Sequence, residues 1–210
     1  MKKIVLIANS DDIKNINDVI DEGDLIVRFN VPSSENINRT GGRTDILFLA
    51  NTVDLMEDRL IEGSKFLEYL NGLTTVEIVF SYEDKLIKKI NPLCKVVNKI
   101  FFIKFKKFIN NWDNSKYISF FKERNINVEV VPECVYWDAQ IKLNLEGTSF
   151  IVSSGLLATL FFLNSEKYKD FDIYLHGFTF EGWCGHAWSK EKHYILQLLE
   201  DNKIYFFDKK

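Results

Sequence analysis

Three short apolar runs open the chain, and each finishes on an asparagine. Lys3-Ile-Val-Leu-Ile-Ala8 leads into Asn9-Ser10, Asp24-Leu-Ile-Val-Arg-Phe-Asn30 ends on its own asparagine, and Asp45-Ile-Leu-Phe-Leu-Ala50 leads into Asn51. Continuous rather than alternating hydrophobicity marks a strand covered on both faces, as in a parallel sheet between helix layers. Thr75–Phe80, Asn127–Pro132 and Lys203–Phe207 read as further strands. Apolar spacing predicts helices over Asp11–Ile20 and Ser115–Arg124, an apolar helix Leu156–Leu163 opened by Ser153-Ser-Gly155, and a closing helix through Leu199. Val31 to Arg43 reads as a polar loop, given backbone freedom by Gly41-Gly42. Strand and helix alternate, so the expected class is α/β: a single α/β/α sandwich with a mostly parallel twisted sheet.

Bulk properties narrow the function classes. The chain has 210 residues, 46% hydrophobic, enough for one substantial core, and no repeat or linker marks a second domain. A formal charge of −3 gives no reason to expect nucleic acid as a partner. The three cysteines, Cys94, Cys134 and Cys184, form no CxxC pair, so neither a disulfide framework nor a zinc site is signalled. Only five apolar residues follow Met1-Lys-Lys before Asn9, too few for a signal core or a membrane span. A cytoplasmic protein is expected. Lys85–Lys107 carries eight lysines and no acid among Ile, Leu and Phe. That pattern suits a peripheral membrane face or an anionic glycan, and equally a solvated helix followed by an edge strand.

The asparagines stand where a crevice opens in an open α/β sheet, at the carboxyl ends of strands. Each amide offers a donor and an acceptor, suited to a base edge or a ribose. Asparagine is also an ordinary residue at strand ends and turns. Ser153-Ser154-Gly155 places two hydroxyls and a glycine at a helix start, where unpaired N–H groups and the helix dipole favour an anion. Serine is equally a good N-cap in its own right.

The chemistry-bearing stretch lies near the end of the chain. Strand Asp172-Ile-Tyr-Leu-His176 runs into Gly177-Phe-Thr-Phe-Glu-Gly-Trp-Cys-Gly185, then His186, with Glu191 five residues on. His186 falls just before a helix start for which Ser189 is a fair N-cap, with Glu191 in the first turn. The positive end of a helix favours a neutral imidazole, the form a general base needs. A histidine there can also cap or pack without chemistry. Trp183 and Trp188 flank it, as stacking surface or as anchors for the loop.

Several signatures are missing. No GxGxxG follows the first strand, and no GxxxxGK[ST], GxSxG or HExxH is present. Asp170-Phe-Asp172 has the DxD form of metal-dependent glycosyltransferases, but it precedes its strand, at the wrong end for the crevice.

In this order the pieces resemble the sialyltransferases. Ile7-Ala-Asn-Ser10, Asp24–Asn30 and Gly42-Arg-Thr-Asp45 are similar to the long motif of the animal-type enzymes of glycosyltransferase family 29. Val152-Ser-Ser-Gly-Leu-Leu157 with Asp172–Phe178 resembles their short motif, and His186-Ala-Trp-Ser-Lys-Glu191 their very short motif. The asparagine spacing is similar to the bacterial enzymes of family 42. The Gly-Trp-x-Gly-His-x-Trp stretch resembles short bacterial proteins labelled urease operon accessory proteins. The resemblance implies a single domain over residues 1–210, a Rossmann-like fold, and inverting, metal-independent transfer of sialic acid from a CMP donor to a glycan hydroxyl, with no cofactor. By the match, Asn9, Ser10 and Asn30 would hold the cytidine nucleotide, with Asn51 carried over from family 42 only. Ser153, Ser154 and Gly155, beside Gly177 and Phe178, would face the donor's phosphate or carboxylate. His186 would deprotonate the acceptor, with Glu191 as its motif partner. The chain is shorter than the usual catalytic domain, lacks the two cysteines that pair the animal enzymes' motifs, and has only Trp183 or His176 for their aromatic–histidine motif. CMP-Kdo would present the same cytidine and a similar carboxylate. A non-catalytic nucleotide- or glycan-binding module and a CMP-sugar hydrolase remain alternatives on the same residues.

Overall fold

The computed structural model describes residues 2–10, 13–16, 20–90 and 113–207. Among the described residues seven strands, all parallel, lie in the order β5-β4-β3-β2-β1-β6-β7. They are β1 Lys2–Ile7, β2 Leu25–Phe29, β3 Ile46–Leu49, β4 Glu77–Phe80, β5 Val128–Val130, β6 Phe171–His176 and β7 Tyr205–Phe206. The chain starts inside the sheet, builds outward from β1 to β5, then returns to lay β6 on the other side of β1. The expected α/β sandwich with a mostly parallel sheet is therefore what forms.

The alternation of side chains explains why the strands are apolar throughout. Ile4 and Leu6 enter one core, while Val5 and Ile7 enter another on the opposite face. Ile46 and Phe48 part from Leu47 and Leu49 in the same way. One face is covered by helices α4 (Asp84–Ile90), α6 (Glu133–Lys142), α7 (Ser154–Asn164) and α8 (Trp188–Glu200). The other takes α2 (Val53–Arg59), α3 (Lys65–Asn71) and α5 (Ser115–Lys122). Each fully buried Ile or Leu contributes about 1.5–3 kcal/mol over an exposed one, so both faces drive the layering.

Three local expectations need correction. Ile13–Ile16 is not helical, and the rest of that expected helix lies largely outside the described residues. Ile13 and Ile16 are buried against Val5, Ile7 and Ile26, and the carbonyl of Lys14 accepts from His176 Nε2 (2.9 Å). The expected loop from Val31 to Arg43 instead contains α1, Ser34–Thr40, capped by Ser33, whose hydroxyl accepts from the N–H of Asn36 (3.1 Å). Helix α8 starts at Trp188 after Ala187, so Ser189 sits inside its first turn rather than at the cap.

Within Lys85–Lys107, residues up to Ile90 belong to α4; the remainder, including Cys94, lies outside the described residues. Among the described residues no helix is long and apolar enough to cross a membrane.

Candidate functional site

Strand order fixes where a ligand can sit. The sheet grows outward from β1 to β5 on one side and through β6 to β7 on the other, so the loops after β1 and β6 part there and leave a crevice at the carboxyl ends. A cavity of about 480 Å³ occupies that position. Of the residues expected from sequence, Asn9, Ser10, Asn30, Ser153, Ser154, Gly155, Gly177, Phe178, Trp183, His186, Trp188 and Glu191 all line it. Asn51 does not. It is fully buried, donating to the Tyr82 carbonyl (2.8 Å) and Asn114 Oδ1 (2.9 Å) and accepting from the Tyr82 N–H (2.9 Å). Asn51 thus bolts the end of β3 to the turn after β4. Asp172 is paired in register with Lys3 at the opposite end of the sheet from the cavity.

The two cavity asparagines present opposite polarity. Asn9 donates from Nδ2 to the Phe29 carbonyl (2.9 Å), which leaves its Oδ1 as the amide's acceptor. Asn30 Oδ1 accepts from the Ala50 N–H (3.1 Å) and from Arg59 Nη2 (2.8 Å), which leaves Nδ2 as a donor. Asn30 holds this pose in the left-handed region, φ 54°. Asparagine tolerates that backbone better than most residues.

Behind them lies a polar scaffold that sequence reading missed. Arg28 is fully buried, and its guanidinium meets Asn36 Oδ1 (3.0 Å) and the carbonyls of Arg43 (3.1 Å), Thr40 (3.3 Å) and Gly41. Burial pushes the Arg28 pKa down. Asn36 in turn donates to the carbonyls of Ala8 and Ser10, each at 2.9 Å, which shapes the loop after β1. An unmatched buried donor costs about 1–3 kcal/mol, so α1 folds around the arginine rather than around an apolar stripe. The available signal was an arginine inside an otherwise apolar strand.

The start of α7, where the sequence suggested an anion site, opens into the cavity. Ser153 caps it, its hydroxyl accepting from the Leu156 N–H (3.2 Å). The N–H groups of Ser154 and Gly155 are taken by no described residue, as expected for a first turn. Gly155 lets Phe178 close over the turn: a Cβ there would come within 2.8 Å of the Phe178 ring. Phe29 stands edge-on to Phe178 at 6.1 Å and completes an apolar wall.

Glu191 is 1% exposed, and its carboxylate accepts from the Ser153 N–H (2.9 Å) and from the Ser153 hydroxyl. Burial raises its pKa, opposed by those two hydrogen bonds and by nearby His186. The carboxylate is thus committed to positioning the helix start.

His186 is held differently. Its Nδ1 lies 2.7 Å from the Ile151 carbonyl. A carbonyl only accepts, so Nδ1 carries the proton, and the neutral ring has its lone pair on Nε2. Ile151 is tied to this loop through both of its backbone polar groups, since its N–H donates to the Gly185 carbonyl (2.9 Å). The Trp183 and Trp188 rings flank the imidazole edge-on, both at 4.9 Å, and Trp188 Nε1 donates to the Trp183 carbonyl (3.1 Å). Trp188 therefore anchors the loop, while Trp183 packs over Gly185 and is 58% exposed. His176 is fully buried and does not line the cavity. Among the described residues no three His, Cys, Asp or Glu side chains gather as a metal site.

No family model matches the chain, and no curated protein does. Solved structures do match. An alpha-2,3-sialyltransferase from Campylobacter jejuni in apo form aligns over 99% of this chain and 74% of its own, at 18% identity and TM-score 0.57. The monofunctional alpha-2,3-sialyltransferase Cst-I of the same organism gives 15% identity over 98% and 75%, TM-score 0.56. Sialyltransferase CstII of that organism, in complex with the substrate analogue CMP-3FNeuAc, gives 13% identity over 99% and 81%, TM-score 0.54. The chain shares the fold of these sialyltransferases.

Proposed function

We propose that this protein is an inverting, metal-independent glycosyltransferase that moves sialic acid, or a related ulosonic acid, from a CMP donor to a glycan hydroxyl. The observation that carries the reading is the oriented His186 in the same cavity as the open N-terminus of α7. A base and an anion site face one space at the switch point of a fold whose solved relatives include one with CMP-3FNeuAc bound. In this reading Asn9 and Asn30 take the nucleotide, and the N–H groups of Ser154 and Gly155 take its phosphate. The acceptor oxygen attacks the anomeric carbon as the bond to phosphate breaks, and CMP leaves with the electron pair. His186 Nε2 receives the acceptor's proton. Helix N–H groups stabilise the charge that develops on the departing phosphate.

CMP-N-acetylneuraminic acid is the donor to try first, following CMP release with and without a panel of glycan acceptors. The transferase reading expects CMP release that an acceptor accelerates and converts into a glycoside. Cleavage that no acceptor diverts would make the protein a hydrolase, and binding without turnover a nucleotide-binding module.

A further inference from the structure

We propose that a groove beside the loop 146–151 is a second sugar-binding subsite, holding the part of a neutral oligosaccharide acceptor that lies beyond the reacting hydroxyl. The acceptor role rests on the transferase reading; the sugar site itself does not. The groove, about 300 Å³, is lined among others by Lys89, Tyr136, Trp137, Gln140, Thr148 and Phe150.

Its chemistry is that of a sugar site. Trp137 and Phe150 are 37% and 40% exposed, so two aromatic side chains bordering one groove stay in water. A pyranose pairs an apolar C–H face with a rim of hydroxyls, which calls for aromatic surface and amide or hydroxyl groups together. Gln140 supplies the amide. It is 5% exposed, and its Nε2 donates to the Tyr136 hydroxyl (3.0 Å) and the Phe150 carbonyl (3.1 Å). Those bonds fix which way the amide points. Its Oε1 receives a hydrogen bond from no described residue, yet is not sealed from solvent. It is a prepositioned acceptor for a sugar O–H.

Charge argues for a neutral ligand. Lys89 Nζ is paired with Glu133 at 3.2 Å and lies 5.7 Å from the Trp137 ring, and Glu146 also lines the groove. Neither sign dominates. The groove is also joined to the base. Ile151 lines it, and the carbonyl of Ile151 is the group that orients His186. One short loop forms a wall of the groove and, through the Ile151 carbonyl, mounts the base, so the groove borders the segment that positions His186.

The test is saturation-transfer NMR with lactose, cellobiose and maltose at millimolar concentration on wild type, Trp137→Ala and Phe150→Ser, alongside a CMP titration of each. Both positions are partly exposed, and two variants guard against one failing to fold. The proposal expects transfer to sugar C–H protons, weakened about 3- to 10-fold by either substitution, the scale of one aromatic contact. CMP affinity should not change. No transfer to any disaccharide, or equal binding by the variants, overturns the groove while leaving the transferase reading intact. Sugar binding at the groove without CMP binding by wild type overturns the transferase reading, and with it the acceptor role.

Discussion

Glu191 and Ser153 are joined by two hydrogen bonds, backbone N–H and hydroxyl both donating to the one carboxylate, so the first turn of α8 fixes the start of α7. Burial raises the Glu191 pKa above its ordinary value. Such a group binds its proton more tightly folded than unfolded. Its contribution to stability is greatest below the ordinary range and is lost as pH rises through the raised value. Melts of wild type and Glu191→Gln from about pH 4 to 8 should differ in slope, wild type losing stability relative to the variant with rising pH. Parallel curves would contradict this.

His186→Ala should lower the rate of glycoside formation by about 10²–10⁴-fold, the usual worth of a general base. CMP affinity should stay within the error of calorimetry, because the nucleotide is assigned to the asparagine end of the cavity. An unchanged rate would remove His186 from the chemistry.

Arg59 sets the pose of Asn30. Its guanidinium donates to Asn30 Oδ1 (2.8 Å) and to the Ala50 carbonyl (2.6 Å), and burial pushes its pKa down to about 10, so it stays charged near neutrality. Arg59→Met leaves the amide held by the Ala50 N–H alone. CMP should then bind about tenfold more weakly or worse, the scale of one hydrogen bond to a charged group. A folded variant with wild-type affinity would show that the orientation of Asn30 is immaterial.

Gly177 has φ +70°, and a Cβ on it would lie 2.5 Å from Cδ1 of Ile13. Gly177→Ala should cost about 1–3 kcal/mol of unfolding free energy from backbone strain alone. Urea titration reads this directly. Equal midpoints and slopes would mean that the loop after β6 relaxes freely.

The parts legible in sequence were those written in apolar pattern or in residue type at a strand end. Val5 and Ile7 read as buried because both sheet faces are covered. Asn9, Asn30 and His186 read as residues of one crevice because they follow strands or precede a helix, and they do line one cavity. Asn51 obeyed the same pattern yet serves the turn after β4, since nothing in a sequence says which side of the switch point a strand end faces. Helix α1 was hidden because Asn36 and Thr40 are buried around Arg28, and apolar periodicity does not register polar burial. Glu191 was visible as a first-turn acid, but its attachment to Ser153, 38 residues away, follows from tertiary packing.

The most direct test of the central claim is a calorimetric titration with CMP and CDP, with and without magnesium, on wild type and Asn30→Ala. The account predicts that wild type binds CMP equally well without the metal and that Asn30→Ala binds it more weakly. No CMP binding, binding of the diphosphate only and only with magnesium, or an unaffected Asn30→Ala variant would contradict it.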